Sequence, residues 1–264
     1  MVRKSKSCSP EQLAMLRWTA GLGAVTAAAF AQHMNVTLAS ARARLSVAER
    51  AGLLVRKQVL AGEPALYTVT AAGLRAGALR GLEPCRVSAA NAPHAIACAG
   101  VAAALERAYP DHRVLGEREL RRDERDSGAA LASAWLGGGG GPGGSAVEPR
   151  GAEPPAAHRT GAGGGLHRPD LVLWPLAEER LPVAVEVELT VKAPQRLLEI
   201  CRAWARCRCV AGTLYLAPAD VQRPLTRAIE RARAGERVLV LGLDALAHDR
   251  PGGEPLASTV PGDA

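Results

Sequence analysis

The stretch Pro182–Leu189, PVAVEVEL, decides what kind of fold this chain forms. Successive side chains of a strand point to opposite faces, so the alternating valines predict one apolar face. Glu186, Glu188 and Thr190 then share the other face. Two carboxylates on one strand face repel each other and resist burial unless a cation compensates them. This strand therefore offers one apolar face to a core and one carboxylate face that is a candidate cation site.

Strand and helix patterns alternate on both sides of this stretch. We expect strands over His112–Leu120, Pro169–Trp174, Val210–Leu216 and Arg237–Leu243, and helices over 94–108, Gln195–Arg208 and Val221–Ala234. Such alternation predicts a mixed sheet flanked by helices, in the α/β class. The Gly/Pro-rich segment over about 126–166 cannot bury enough apolar surface to order itself, so we predict a disordered insertion there and a disordered tail over 251–264.

The first ninety residues show a different order of signals. Helix starts with an N-cap hydroxyl occur at Ser9, Thr26, Thr37 and Thr70. Before the fourth helix, two short strands over Leu54–Leu60 and Ala65–Val69 are joined by a Gly/Pro-bearing connection, which is typical of a hairpin. We therefore predict a domain over 9–90, followed by an α/β domain over 91–250.

Basic residues are concentrated at the start of the chain. Nine basic residues face only two acidic ones over residues 1–60, and the whole chain has a formal net charge of +7. This excess favours a polyanionic partner, and arginines on a helix can contact phosphates or guanine edges in the major groove of double-stranded DNA. The candidate DNA-binding residues are Arg42, Arg44, Arg50, Arg56 and Lys57. The alternative is a solvated basic face on a domain that makes protein contacts.

The series of helices and hairpin over about 9–82 resembles a winged helix-turn-helix domain. The most similar strings are SVAERAGLL at 46–54, the hairpin, and YTVTAAGL at 67–74. This resemblance implies that the third helix enters the major groove of DNA.

The second domain resembles the PD-(D/E)xK nuclease superfamily, whose fold is restriction-endonuclease-like. The similar strings are His167-Arg168-Pro169-Asp170, the Glu-x-Glu strand, and Lys192 beyond it. The resemblance implies that Asp170 and Glu186 hold Mg²⁺ and that Asp170, Glu186, Glu188 and Lys192 form the catalytic set. Glu188 occupies the position where the family usually has lysine, so Lys192 would have to reach back from the strand end.

Other interpretations of the same residues stay open. Glu186 and Glu188 could pair with Arg202 or Arg206, and His94, His112 and His167 are expected to be structural or exposed. Cys201, Cys207 and Cys209 are expected to be apolar filler, with a zinc site as the less favoured alternative.

The combination of the two domains resembles the replication-relaxation family, proteins of plasmids and integrated elements. This implies a role in plasmid replication, transfer or DNA processing. The alternative function is a non-catalytic winged-helix regulator of transcription or replication, whose second domain only binds DNA or forms a homodimer.

The chain shows no sign of a membrane or secretory role. No apolar segment follows the basic start, and the apolar stretch around Ala24–Ala31 is far shorter than the roughly 20 residues of a spanning helix. We therefore expect a cytoplasmic protein without a membrane partner.

Overall fold

The computed structural model describes residues 8–137, 165–177 and 179–246. The tail over 251–264 and residues 138–164 of the predicted insertion lie outside the described residues.

The amino-terminal half has the order of elements that the sequence predicts. Its elements are α1 (Pro10–Leu22), β1 (Val25–Thr26), α2 (Ala27–His33), α3 (Leu38–Arg50), β2 (Leu54–Lys57), β3 (Leu66–Val69) and α4 (Ala71–Ala76). The hydroxyls of Ser9, Thr26, Thr37 and Thr70 each accept a backbone N–H bond at the start of a helix, as expected. The strands form an antiparallel sheet in the order β1-β3-β2. The two-residue β1 was not predicted, since so short a strand has no periodicity to detect.

The second half is a mixed α/β structure, which confirms the predicted fold class. Its elements are α5 (Ala92–Ala108), β4 (His112–Gly116), α6 (Glu117–Ser127), β5 (Ala134–Trp135), β6 (Leu166–His167), β7 (Leu171–Pro175), β8 (Val183–Val187), α7 (Pro194–Arg206), β9 (Gly212–Ala217), α8 (Ala219–Ala232) and β10 (Val238–Gly242). A five-stranded sheet has the order β10-β9-β8-β7-β4. Strands β8, β9 and β10 are parallel, and β7 is antiparallel to both of its neighbours.

The prediction of a strand over His112–Leu120 was wrong beyond Gly116. The chain turns there into α6, whose sequence is almost entirely charged and includes an ion pair between Glu117 and Arg121, one helical turn apart. Such pairs stabilise a helix. Leu120, expected in the strand, is instead the fully buried residue of this helix.

The predicted disorder over 126–166 was wrong at both margins. Helix α6 continues to Ser127, and β5 pairs with β6 in an antiparallel ladder. Ala132 and Ala134 are buried in the core beneath α7. The prediction of disorder rested on the Gly/Pro-rich composition of the whole segment. It overlooked the few apolar residues at its margin, which pack against the hydrophobic core.

The sheet has helices on both faces, and α5 joins the two halves. Val101 and Leu105 of α5 pack on one face of the sheet, while α7 and α8 cover the other. Ala99 and Ala103 of the same helix lie in the amino-terminal core. The boundary predicted between residues 90 and 91 therefore falls just before a helix that both halves share.

Candidate functional site

Four strands end at the same edge of the central sheet. Strand β4 runs in the same direction as β8, β9 and β10, because β7 is antiparallel to both β4 and β8. Their carboxyl ends therefore meet at the edge where β7 begins. Asp170 directly precedes β7, Glu186 lies near the end of β8, and Glu188 follows β8. We call this region the sheet-edge site.

Asp170 is held by three elements. Its Oδ2 accepts a hydrogen bond of 2.8 Å from the backbone N–H of Val187, and its Oδ1 lies 2.9 Å from Nε2 of His94 on α5. Its backbone carbonyl accepts the N–H of Glu117 at the start of α6. The carboxylate is thus fixed in orientation before any ligand arrives.

Glu186 is almost completely buried. Its Oε1 accepts a hydrogen bond of 3.1 Å from Nε1 of Trp204 and lies 2.6 Å from Nε2 of His167. Burial raises the pKa of the Glu186 carboxyl, the His167 contact opposes this, and the charge of Asp170 raises it further. The buried Glu186 and the partly buried His167 therefore form one close contact pair, and Glu186 also interacts electrostatically with Asp170.

Glu188 and Lys192 form an ion pair across the end of β8. The Glu188 carboxylate is buried, while the Lys192 side chain is partly exposed. Lys192 reaches back from beyond the strand to pair with Glu188, and its catalytic role stays a prediction. The pKa of His94 is raised mainly by its hydrogen bond to Asp170 and that of Glu186 mainly by burial, and the positive charge of Lys192 partly opposes both upward shifts, so the ammonium belongs to the same electrostatic cluster.

His94 and His167 are the site residues that sequence reasoning missed. Both were expected to be structural or exposed, and both contact a predicted carboxylate. His167 stands three residues before Asp170, which was a usable local signal. His94 is 76 residues from Asp170 and gives no such signal. The expected alternative, in which Arg202 or Arg206 pairs with the glutamates, is not what the structure shows, since His167, Trp204 and Lys192 take that role.

A set of potential metal ligands that the sequence did not single out also comes together at this edge. Within the described ranges, the set with ligand atoms all within 4.8 Å of one another is His94, Cys98 and Asp170. This set shares Asp170 with the pair Asp170 and Glu186 that the resemblance implies for Mg²⁺. Hydrogen bonding to Asp170 raises the pKa of His94, while burial and the nearby carboxylates raise the pKa of the Cys98 thiol.

The candidate DNA-binding residues lie on α3 and β2. Arg42, Arg50 and Arg56 are exposed, and Lys57 is partly exposed. Arg50 donates to the Ser46 hydroxyl at 2.8 Å. Arg44 differs from the others, because it pairs with Glu11 at 3.5 Å. In the part of the chain that the structure describes, Arg42, Arg56 and Lys57 form no ion pair.

The cysteine cluster separates into two parts. Cys207 and Cys209 lie with their sulfurs 3.3 Å apart, whereas Cys201 is buried in the core of α7. The hydrogen bond from Cys209 lowers the pKa of Cys207 to about 7. Cys201 is therefore the apolar filler that the sequence predicted, and the other two are not independent thiols.

No protein-family model matches the chain, and comparisons with curated proteins and with solved structures also find no match. Among the described residues, no helix combines the length and the apolar character that crossing a bilayer requires.

Proposed function

We propose that the chain is a DNA-binding protein of plasmid or mobile-element replication or transfer. In this proposal its winged-helix half binds double-stranded DNA, and its second half is a nuclease-like, Mg²⁺-dependent phosphodiesterase. One observation supports it above the others. Asp170, Glu186 and the Glu188–Lys192 pair are gathered at one sheet edge, in a chain whose other half exposes cations that have no acidic partner among the described residues.

Binding to DNA is supported by the state of the cations on α3 and β2. Between residues 8 and 82, eight basic residues face three acidic ones. Arg42 and Arg56 have no acidic partner among the described residues, so phosphates would not have to displace one. Neutralising phosphates releases condensed counterions, which favours binding at low salt.

Hydrolysis would use the sheet-edge site. Asp170 and Glu186 would hold Mg²⁺, which activates water and offsets the charge of a scissile phosphate. The Val187 N–H already orients Asp170, and Glu188 holds the Lys192 ammonium beside the site. Carboxylates suit a hard cation, on one condition. His94 must give up its contact with Asp170 Oδ1, whereas Glu186 can bind through Oε2, because its contacts with His167 and Trp204 are both made by Oε1.

That condition favours a second candidate function. Each predicted ligand carboxylate already receives protein hydrogen bonds, and the Glu186 carboxyl is buried with its pKa raised. A site neutralised in this way suits a non-catalytic regulator of transcription or replication, whose second half supports DNA binding or forms a homodimer. Binding of DNA is common to both candidates, and cleavage distinguishes them.

One experiment on the full chain tests both. Binding to a labelled duplex is measured over a range of salt concentrations. In a second assay, the same protein preparations are incubated with supercoiled plasmid, with and without Mg²⁺, and nicking is measured. We expect affinity to fall steeply with salt. The double variant Arg42→Ala/Arg56→Ala should lower the log–log slope by about 0.9 for each phosphate that the protein no longer neutralises. The matched control is Arg223→Ala/Arg227→Ala, two exposed arginines of α8.

Nicking that requires Mg²⁺ and is lost in Glu186→Gln, but kept in the exposed Glu199→Gln, supports the phosphodiesterase. Salt-dependent binding without nicking selects the regulator. Equal binding by both double-arginine variants would contradict DNA recognition by α3 and β2.

A further inference from the structure

The sheet-edge site contains a set of donors that differs from the carboxylates in its chemistry. His94 and Cys98 are four residues apart on α5, so their side chains lie on the same face of the helix, one turn from each other. Asp170 approaches this face from the start of β7. An imidazole, a thiol and a carboxylate from two separate elements thus meet at one point.

The hydrogens of the His94 imidazole and the Cys98 thiol cannot satisfy all three groups in a single arrangement around Nε2. Nε2 of His94 contacts both Asp170 Oδ1, at 2.9 Å, and Cys98 Sγ, at 3.5 Å. If Nε2 carries a proton it can donate to the carboxylate, but it then has no lone pair for the Cys98 thiol. If it carries none, the carboxylate and the nitrogen face each other as two acceptors. A cation bound to Nε2 of the neutral imidazole, to Asp170 Oδ1 and to Cys98 Sγ, with the thiol proton released to solvent, satisfies all three ligand atoms at once.

We propose that His94, Cys98 and Asp170 bind a zinc ion, with the fourth tetrahedral position open to water. In a tetrahedral site, bonds of about 2.0 Å to nitrogen and about 2.3 Å to sulfur place the two ligand atoms roughly 3.5 Å apart. The separation of His94 Nε2 and Cys98 Sγ is 3.5 Å. The contact between His94 and Asp170 must lengthen from 2.9 Å to roughly 3.3 Å for the same geometry.

The donor chemistry of His94, Cys98 and Asp170 selects zinc, in contrast to the carboxylate pair that the proposed function assigns to Mg²⁺. A thiolate and an imidazole are ligands for zinc, whereas Mg²⁺ prefers oxygen ligands in an octahedron. The Val187 N–H bond to Asp170 Oδ2 fixes the carboxylate from outside the site, and such outer contacts orient the ligands of metal sites. The inference does not depend on DNA binding or cleavage, because it concerns occupancy of the site alone.

The test is titration of the purified, reduced full-length chain with Co²⁺ as the spectroscopic probe, followed by displacement with Zn²⁺. We expect one equivalent to bind, with thiolate-to-cobalt charge-transfer absorption and the intense visible bands of a tetrahedral ion. Cys98→Ser should remove the charge-transfer absorption. His94→Gln and Asp170→Asn should each weaken binding by at least roughly 100-fold, since loss of even an outer-shell partner costs 10- to 100-fold.

The matched control is Cys207→Ser/Cys209→Ser, which removes the other close pair of thiols. This variant should keep both the absorption and the affinity. Loss of binding here with retention in Cys98→Ser would overturn the inference, and so would the absence of any binding. Binding that is insensitive to Cys98→Ser and lost in Glu186→Gln would show an oxygen-ligand site instead and would also overturn it.

A measurement on the unaltered chain guards against variants that fail to fold. Alkylation by iodoacetamide is mapped by mass spectrometry with and without Zn²⁺, at an alkaline pH at which Cys98 of the metal-free chain is labelled, because its raised pKa leaves little reactive thiolate at neutral pH. We expect Zn²⁺ to protect Cys98 selectively, while Cys8 and Cys85, which lie outside the site, react equally in both samples. Equal alkylation of Cys98 with and without Zn²⁺ would contradict the site. Plasmid nicking is not a readout in either measurement, so failure of the proposed function leaves this test unaffected.

Discussion

The two charged regions of this protein differ in how their charges are compensated. On α3 and β2, Arg42, Arg56 and Lys57 are at least partly exposed and form no ion pair with described residues. At the sheet-edge site, Asp170 and Glu186 are largely removed from solvent, and each has a histidine and a second donor. The charges of the first region are accessible to solvent, whereas the carboxylates of the second region have their hydrogen-bond partners within the fold.

This difference determines what each region contributes. Exposed cations cost little to maintain, and they steer polyanions towards the protein. A buried carboxyl group is costly to leave without partners, so its contacts stabilise the fold whether or not a ligand binds. Substitutions in the two regions should therefore affect stability very differently, and the comparison can be tested by removing one partner at a time.

The largest effect is expected for His167→Ala. Its removal leaves the buried Glu186 carboxyl with the Trp204 N–H alone, and breaking a buried pair from one side lowers the free energy of unfolding by about 3 kcal/mol or more. The measurement is urea denaturation followed by circular dichroism.

The matched control for that prediction is His112→Ala. The two histidines are similarly shielded, with 15% and 14% of their side chains exposed, but the partner of His112 is the exposed Asp111. The His112 variant should lose clearly less stability, because its carboxylate partner is solvated. Equal losses would show that packing of the ring, rather than the buried carboxyl, sets the cost.

An intermediate effect is expected at the junction of the two regions. A Cβ on Gly116 would lie 2.3 Å from the backbone oxygen of Gly21, so α1 and the end of β4 are in direct backbone contact. Because neither backbone can yield easily, Gly116→Ala should lower the free energy of unfolding by about 1–3 kcal/mol.

Gly100→Ala is the control for this junction, since a Cβ there meets nothing within 4 Å. Gly100 lies within α5, where alanine is favoured over glycine by about 0.5–1 kcal/mol. The midpoint temperature of thermal denaturation should fall for Gly116→Ala and rise for Gly100→Ala. A Gly116→Ala variant as stable as the unaltered chain would mean that the two halves can separate at this point without cost.

The smallest effect on stability is expected for Arg44→Ala. Its ion pair with Glu11 is partly exposed at a distance of 3.5 Å, and pairs of this kind contribute less than about 1 kcal/mol. Arg44→Ala should also weaken duplex binding less than Arg42→Ala, because Glu11 already compensates the Arg44 charge. A filter-binding titration of the two single variants measures this difference, and a greater loss for Arg44→Ala would reverse the assignment of free and compensated cations.

Local signals account for the part of the fold that the sequence predicted. The hydroxyl caps at Ser9, Thr26, Thr37 and Thr70 and the alternating valines of β8 act over a few residues, and each was found where it was expected. The strand boundary at Gly116 was missed, because Arg113–Leu120 contains no cap hydroxyl and its charged residues fit either an edge strand or a helix. Packing of Leu120, on the buried face of α6, into the hydrophobic core decides in favour of the helix.

The sequence by itself determined the α/β class, the basic surface, and the candidate set Asp170, Glu186, Glu188 and Lys192. Only the tertiary structure decided which groups contact these charged side chains and compensate their charges. Contacts such as His94 with Asp170 join residues 76 positions apart, and they exist only because α5 crosses the edge where β7 begins. Burial has the same origin. A sequence shows that a carboxylate is present, but its solvation depends on every element packed around it, and solvation governs whether its charge is available to a ligand.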